Sequence, residues 1–557
     1  MSIVLGIDTG GTYTDAVLYQ QEQQAVLAKS KSPTTRGDLA VGIQKSIEAL
    51  DIKEPGAVAK VVLSTTLATN AIVEGEGRPA GLIIIGEPPK GELPQGEVQR
   101  INGRVNVKGK EVIPLDPLEV RAACDALVGK VEAVAIAGMM SVRNAVQELA
   151  VKAEVKACCG VPVVCSHELS SKLGFHDRTV TTVLNASLIP IIEGFIQAVE
   201  KALKALGITA PIYMVKGDGN LASLAFIREK PIESILSGPA ASIIGALALA
   251  GTADGIVVDM GGTTTDSGVV RGNTLALSPV GARVGSWQTQ VNSVEINTFG
   301  LGGDTQIIVE EGDLKLTGQR ILPACRGGQT GLTPTDILHL TGEYMKWSVD
   351  EAKEAAVAQA EALGVGLEEY HTLAQNKILT TIEDAVLAQY RNHEPEAEPE
   401  VGYVARMQGP VDRTENLLKQ LPIIGIGAPA GAWYGKLGAS GEQVILPEHF
   451  EVANAVGAAC AAVEEQVCAI VRPDEANDGY VAHVAGLCQS FSDKDTAVAW
   501  VSQEVKTRSL AAARCQGAQS VYAQVFVEEI VEKIGWRERY VQSNVRAVAK
   551  ATGLQIK

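Results

Sequence analysis

The stretch Asp8-Thr9-Gly10-Gly11-Thr12-Tyr13-Thr14-Asp15 decides the fold of this chain. It follows an apolar segment at residues 3–7 and precedes another at residues 16–19. The two glycines allow a tight hairpin and bring backbone N–H groups close to an anion, because no Cβ atom intervenes. We therefore predict a phosphate-binding turn between two strands. Its expected binding residues are Gly10, Gly11, Thr12 and Thr14.

A second copy of this pattern is Asp259-Met260-Gly261-Gly262-Thr263-Thr264-Thr265-Asp266. The copies lie about 250 residues apart, a separation typical of a duplicated domain rather than a short tandem array. One such hairpin alone could be an ordinary β-turn, but two matching copies, each between apolar segments, favour a shared phosphate site. The second set of expected binding residues is Gly261, Gly262, Thr263 and Thr264.

Each copy begins and ends with an aspartate. Asp8 and Asp259 come at the ends of strands, where a carboxylate can hold Mg²⁺ through the waters that this ion retains. We predict these two residues as the metal ligands. Asp15 and Asp266 are further catalytic candidates, and the sequence does not choose which of the four carboxylates orients an attacking nucleophile.

A third motif is Ile423-Ile424-Gly425-Ile426-Gly427-Ala428-Pro429-Ala430, a strand that runs into a glycine turn. Pro429 suits the first turn of a following helix. Such a turn can let an adenosine lie flat against the backbone, and an ordinary strand-to-helix turn is the alternative. The expected adenosine-binding residues are Gly425, Gly427 and Ala428.

Strand-like apolar runs alternate with helical periodicity along most of the chain, which predicts an α/β fold. We expect two duplicated domains, a helical insertion and a small C-terminal α/β unit. The predicted boundaries are 1–177 for the first domain, 178–332 for the second, 333–420 for the insertion, 421–470 for an adenosine-loop segment returning to the second domain, and 471–557 for the C-terminal appendage.

The order of hairpin, hairpin and glycine-rich turn resembles that of the actin, sugar-kinase and heat-shock ATPase superfamily. There, two ribonuclease-H-like domains clamp a nucleotide in the cleft between them. This resemblance implies a duplicated actin-like ATPase fold, with ATP and Mg²⁺ as cofactors. It assigns residues 8–12 and 259–263 to the phosphate loops and residues 425–430 to the adenosine loop.

Further stretches are similar to the A-type half of the hydantoinase/oxoprolinase family. They are TTLATN at residues 65–70, SHEL at 166–169, RTVTTVLNA at 178–186 and LSGPA at 236–240. The resemblance implies an ATP-dependent hydrolase that opens a cyclic amide, with a separate B-type hydrolase subunit as a possible partner. An ATPase that activates a partner protein and a small-molecule kinase are the alternatives.

The segment from Glu295 to Asp304 departs from the family pattern. Asn297 stands where the family usually has a histidine, so the best ligand for a zinc-like ion is missing. We therefore predict no tightly held transition metal in this segment.

Composition limits the possible partners and compartments. The chain has 557 residues, 46% of them hydrophobic and 20% charged, which is typical of globular proteins. A net charge of −17 argues against nucleic-acid or anionic-membrane partners. The nine cysteines include no CxxC pair, and the first ten residues do not resemble a signal peptide, so we expect a soluble cytoplasmic protein.

The C-terminal appendage contains Val527, Ile530, Val531 and Ile534 at helical spacing. This pattern predicts a helix with an apolar stripe, more typical of a core than of an interface. The unit as a whole is a candidate for docking a partner or for homo-oligomerisation.

Overall fold

The computed structural model describes residues 2–35, 39–392, 403–406, 421–440, 443–474, 478–484, 487–518, 520–534 and 537–551. The strands are β1 (Ile3–Thr9), β2 (Tyr13–Gln20), β3 (Ala25–Pro33), β4 (Val58–Thr65), β5 (Ala80–Ile85), β6 (Glu97–Ile101), β7 (Arg104–Val105), β8 (Glu111–Ile113), β9 (Ala133–Gly138), β10 (Val163–Cys165), β11 (Ile212–Val215), β12 (Leu221–Ser223), β13 (Gly255–Met260), β14 (Thr265–Arg271), β15 (Thr274–Leu275), β16 (Arg283–Val284), β17 (Trp287–Gln288), β18 (Asn297–Phe299), β19 (Thr305–Glu310), β20 (Asp313–Arg320), β21 (Tyr403–Arg406), β22 (Ile423–Ile426), β23 (Val444–Ile445), β24 (Glu464–Asp474), β25 (Gly479–Val484), β26 (Leu487–Phe491), β27 (Val521–Ile534) and β28 (Arg537–Ala551).

The helices are α1 (Leu39–Glu48), α2 (Leu67–Val73), α3 (Pro117–Leu127), α4 (Val146–Cys158), α5 (Ser166–Leu169), α6 (Phe175–Ala205), α7 (Leu224–Glu229), α8 (Ser237–Ala250), α9 (Pro334–Leu340), α10 (Val349–Leu363), α11 (Leu367–Asn392), α12 (Ala430–Trp433), α13 (Ala453–Cys460) and α14 (Lys494–Cys515). Short 3₁₀ turns lie at Pro55–Ala57, Pro231–Ser234, Ala324–Arg326, Tyr434–Ser440 and Phe450–Val452.

The first large sheet has the strand order β12-β11-β4-β1-β2-β3. β1 pairs antiparallel with β2 and parallel with β4, so the first motif forms the hairpin between β1 and β2. One face packs against α1 and α6, and the other against α13. Strands on both sides of the boundary expected at residue 177 therefore belong to one sheet.

A four-stranded parallel sheet, in the order β10-β9-β5-β6, is inserted within the first half of the chain. Helices α3 and α4 cover one face, and α6 packs against the other. Among the described residues, α6 is the one helix long and apolar enough to cross a membrane, and most of its apolar window is buried. A core helix meets the same criteria, so this is weak evidence for a membrane span.

The second large sheet repeats the centre of the first. β13 pairs antiparallel with β14 and parallel with β22, as β1 does with β2 and β4. Helices α10 and α11 cover one face, while α8 covers the other. The second motif thus forms a hairpin equivalent to the first.

Two helices, α8 and α13, cross between the large sheets at very short range. A Cβ atom on Gly245 would lie 1.9 Å from the carbonyl oxygen of Ala453, and one on Gly457 would lie 1.7 Å from that of Ala241. Glycine at both positions therefore lets the two backbones touch, and this contact sets the distance between the halves of the molecule.

The C-terminal sheet has the order β21-β27-β28-β24-β25-β26, with α14 packed on one face. Its strands lie on both sides of the boundary expected at residue 470. The prediction of a helix for residues 527–534 is wrong, because these residues belong to β27. The spacing of these apolar residues does not follow the two-residue period of the strand that they form, and the pairing register shifts here because β28 carries one extra residue, Val541.

Candidate functional site

The two predicted phosphate hairpins have the same backbone geometry. Gly10 N donates to Tyr13 O at 3.0 Å, and Gly261 N donates to Thr264 O at 2.9 Å. In the strand registers, Asp8 pairs with Asp15 and Asp259 pairs with Asp266. The repeated sequence therefore produces a repeated structure, with two carboxylates at the base of each turn.

Each aspartate is held by a polar neighbour. Ser64 and Asn454 donate to the Asp8 carboxylate, and Lys31 Nζ donates to Asp15 Oδ2 at 2.7 Å. In the second hairpin, Ser242 Oγ donates to Asp259 Oδ2 at 2.6 Å, and Thr298 Oγ1 donates to Asp266 Oδ1 at 2.7 Å. These contacts fix the orientations of the four carboxylates. The partners other than Lys31 also place hydroxyl or amide donors close to the turns.

Burial raises the pKa of all four carboxyl groups. The pKa of Asp15 rises to about 6 even though Lys31 lowers it, and the pKa of Asp266 also rises to about 6. The pKa values of Asp8 and Asp259 are raised by burial, and the Asp8 charge raises that of Asp259 further. The carboxylates of the two hairpins therefore interact electrostatically, and a nearby cation would favour their ionised forms.

Two buried atoms near the first hairpin have no hydrogen-bond partner, Thr9 Oγ1 and Asp15 Oδ1. Buried polar atoms normally have partners, so unsatisfied ones indicate a site for a bound group. A hydrated divalent cation can supply donors and positive charge together. The residues present therefore fit a magnesium ion, with Asp8 and Asp259 as the residues that would hold it.

The turn predicted to bind adenosine packs directly on the second hairpin. Gly427 has φ +95°, and a Cβ atom there would lie 2.2 Å from Met260 O and 2.7 Å from Asp259 Oδ1. Ala428 beside it is exposed. Gly425, in contrast, faces the ring of the buried Tyr434, 2.2 Å from where its Cβ would be. The turn thus brings Gly427 and Ala428 to the hairpin and leaves Gly425 inside the core.

The threonines of the motifs differ in position. Thr12 is exposed at the tip of the first hairpin, whereas Thr14 is fully buried and its hydroxyl bonds that of Thr34 at 3.1 Å. Thr263 and Thr264 are both partly buried in the second hairpin. The Thr14 hydroxyl therefore stabilises the hairpin from within and does not point into the space between the turns.

A glycine-rich turn that the sequence did not assign to the site supports the second hairpin. Gly303 N donates to Gly261 O at 3.0 Å, and Asp304 N donates to Gly262 O at 2.7 Å. Arg320 is the last residue of β20. Its guanidinium contacts Asp304 Oδ2 at 3.1 Å and Thr12 Oγ1 at 3.2 Å. The glycines at positions 300, 302 and 303 are a local sequence signal for this turn.

Tyr434 is a second residue that the motifs did not indicate. It is fully buried, and its hydroxyl oxygen has no partner. Burial raises its pKa strongly, and the charges of Asp259 and Asp266 raise it further. The ring packs against Gly425 in the core, and its phenol stays neutral near neutral pH.

A separate cluster of Glu148, Cys165 and His167 lies in the inserted parallel unit, with ligand atoms within 4.8 Å of one another. The Glu148 carboxylate already accepts hydrogen bonds from Gly138 N, Ser166 Oγ and two nitrogens of His167. Its oxygens are therefore fully used within the protein, which favours a structural role for this cluster.

Comparison with known proteins matches the chain in two regions. The family described as hydantoinase/oxoprolinase matches residues 178–467, and the hydantoinase/oxoprolinase N-terminal region matches residues 4–159. Caprolactamase subunit alpha of Pseudomonas jessenii is 31% identical over 368 residues, 59% of this chain. The match spans 53% of that relative's length.

Two solved structures share the whole fold. The ATP-dependent caprolactamase from Pseudomonas jessenii superposes with a TM-score of 0.74 at 22% identity, over 99% of this chain and 88% of that one. The nucleotide-free structure of acetone carboxylase gives a TM-score of 0.72 at 18% identity, over 100% of this chain and 89% of that one. The predicted α/β class with duplicated actin-like domains is confirmed.

Proposed function

This chain belongs to the hydantoinase/oxoprolinase family, and we propose that it is an ATP-dependent hydrolase that couples ATP cleavage to the opening of a cyclic amide. The observation that carries the proposal is the pair of equivalent hairpins, each with two carboxylates at its base. Repeated glycine turns offer backbone N–H groups to phosphates from two sides, and the carboxylates set the position of a metal ion.

The nucleotide would lie between the hairpins, with its adenosine against Gly427 and Ala428. The close contact of Gly427 with Met260 and Asp259 supports this orientation, because it joins the adenosine turn to the second phosphate turn. Asp8 and Asp259 would hold magnesium through water. The ion supplies charge neutralisation on the phosphates when bound.

The four carboxylates have different surroundings, which suggests different roles. Asp15 pairs with Lys31, whereas Asp266 accepts a hydroxyl hydrogen bond from Thr298 and, within the described part of the chain, forms no ion pair. An acid with a pKa near 6 can accept a proton at neutral pH. We propose Asp266 as the group that orients the attacking nucleophile, and Asp15 as a structural partner of Lys31.

Phosphoryl transfer gives a chemical reason for coupling ATP to amide opening. A lactam is stabilised by resonance, so direct attack by water is slow. Transfer of the γ-phosphoryl group from ATP to the amide oxygen breaks the bond to the β,γ-bridging oxygen, releases ADP and forms an imidate-like species in which phosphate is a good leaving group. Catalysis of that transfer rests on positioning and charge. The chain's own contribution is to hold the phosphates and the acceptor oxygen in line.

A partner subunit is part of the proposal. The name of the caprolactamase relative marks it as one subunit of an assembly, and the resemblance implies a separate B-type hydrolase chain for the ring-opening step. We propose that this chain supplies the ATP-dependent step and that the partner completes hydrolysis. Alone, it should therefore hydrolyse ATP slowly.

The test of the ATP-dependent step uses charge-removing variants of nearly unchanged shape. Asp8→Asn and Asp259→Asn should lower ATP turnover by about 100-fold or more, since each would orient the waters of the metal. The matched control is Asp116→Asn, because Asp116 caps α3 by accepting Leu118 N at 2.9 Å and asparagine caps equally well. Normal turnover by both site variants would refute the proposed cleft.

The test of the substrate class measures ATP hydrolysis with a panel of lactams, including hydantoin and 5-oxoproline, with and without candidate partner chains. Stimulation by a lactam supports the amidohydrolase proposal. Stimulation only by a protein would indicate a partner-activating ATPase, and a stable phosphorylated product would indicate a kinase. Fast ring opening by the purified single chain would contradict the need for a partner.

A further inference from the structure

Arg320 lies between the two phosphate hairpins. Its guanidinium donates to Thr12 Oγ1 at the tip of the first hairpin. It also donates twice to Asp304 Oδ2, whose own backbone nitrogen donates to Gly262 O in the second hairpin. A Cβ atom on Gly262 would lie 3.9 Å from Arg320 Nη2. One side chain thus reaches both turns, although its own strand belongs to neither.

The charges around the hairpins leave a specific role for this cation. The carboxylates at residues 8, 15, 259 and 266 repel a polyphosphate, and Lys31 is engaged with Asp15 at 2.7 Å. Among the residues that the structure describes, Asp304 is the one carboxylate paired with Arg320, and it binds only one edge of the guanidinium. Its Nη1 group, directed at the Thr12 hydroxyl, can exchange that neutral acceptor for a phosphate oxygen, because charged acceptors form hydrogen bonds about twice as strong.

The position of Arg320 also determines which end of a bound nucleotide its side chain can contact. The adenosine turn contacts the second hairpin at Met260 and Asp259. Thr12 is at the tip of the opposite hairpin, so phosphates that extend away from the adenosine approach it last. We infer that Arg320 binds the terminal phosphate of a nucleoside triphosphate held between the hairpins, and that it thereby distinguishes the triphosphate from the diphosphate. This inference rests on the function proposed above.

The planar fork of arginine explains why this residue suits the task. It can keep two hydrogen bonds to Asp304 while a third N–H group binds the phosphate, which a lysine cannot do with the same geometry. Asp304 therefore orients the guanidinium through one edge and leaves its Nη1 group directed toward the first hairpin. Binding of the terminal phosphate would also tie the two hairpins together through one cation.

The experiment measures the affinity of the full-length chain for Mg²⁺–ADP and for a non-hydrolysable Mg²⁺–ATP analogue by calorimetry. Arg320→Gln should weaken binding of the analogue by about 10- to 100-fold and that of ADP by less than about 3-fold, as expected for one charged hydrogen bond. Arg320→Lys should recover part of the loss. The matched control is Arg121→Gln, since Arg121 is exposed and pairs with Glu154 on the surface.

The outcomes separate this inference from the proposed function. Wild-type protein that binds neither nucleotide would refute the nucleotide site itself. Suppose that the wild-type protein binds both nucleotides and that Arg320→Gln weakens both affinities equally or changes neither. The nucleotide site would then stand, and the role of Arg320 would be overturned. An unchanged melting temperature of the ligand-free variants shows that the comparison is between folded proteins, and Arg320→Lys gives the comparison if Arg320→Gln unfolds.

Discussion

At the residue scale, the site depends on acids whose charge the protein itself disfavours. Asp8 and Asp15 are almost fully buried, at 5% and 7% exposure, and burial raises the pKa of each. Removing a carboxylate from water is costly unless a cation or several donors replace the lost hydration. The ionised carboxylates therefore destabilise the ligand-free site near neutral pH, and a bound cation would offset the cost of burying their charge.

The pKa of Asp15 gives a stability prediction with a definite sign. Its value in the folded protein is about 6, above the ordinary value of 3.8, so the folded state prefers the protonated acid. The stabilisation is complete below pH 3.8 and is lost as the pH rises through about 6. Between these values, wild-type protein should lose of order 2 kcal/mol of unfolding free energy relative to Asp15→Asn.

Urea unfolding of the ligand-free protein at pH 4.5 and pH 7.5 checks this expectation. The comparison with Asp15→Asn removes the contributions of other titrating groups, which the two proteins share. A difference between the proteins that stays constant across the two pH values would contradict the assigned burial of the ionised carboxylate.

At the element scale, the crossing of α8 and α13 determines how the two halves meet. The crossing depends on glycine because the backbones are in direct contact at Gly245 and Gly457. Helices usually pack at interaxial distances of 8–10 Å set by side chains, and glycine permits the shortest distances. These helices also carry Ser242 and Asn454, which bind Asp259 and Asp8. The same crossing therefore aligns the two hairpins.

We predict that Gly245→Ala destabilises the protein strongly, since its Cβ atom would lie 1.9 Å from a backbone carbonyl of α13. The matched control is Gly194→Ala in α6, where a Cβ atom meets nothing within 4 Å. Alanine there should be neutral or stabilising by up to about 1 kcal/mol, because it favours the helix. Thermal unfolding of both variants tests the pair, and similar melting temperatures would contradict the close crossing.

At the scale of the whole molecule, the proposed nucleotide site takes residues from both sheets and from the segment after residue 421. A ligand bound between two such halves favours their closed arrangement. Such a ligand also stabilises the folded state against unfolding, by an amount that depends only on its concentration and affinity.

Mg²⁺–ATP at about 100 times its Kd should therefore stabilise the protein by roughly 2.7 kcal/mol. Differential scanning calorimetry measures the rise in melting temperature, and ATP without magnesium should give a smaller rise. The Asp116→Asn control should respond as the wild type does. If neither ATP nor ADP shifts the transition, the protein does not bind nucleotide in this form.

The sequence by itself determined the two hairpins, because their geometry is local: in each, a glycine N–H bonds a carbonyl three residues later. It also determined the α/β class, since the spacing of apolar residues in successive segments reflects which side chains of each strand or helix are buried. It failed for β27, because the apolar residues at 527, 530, 531 and 534 have helical spacing although pairing with β28 and β21 makes this segment a strand. Only tertiary structure decided that Thr14 points inward and that Arg320 reaches both hairpins. Their contacts link residues far apart in the chain, and packing of whole elements, not neighbouring sequence, brings them together.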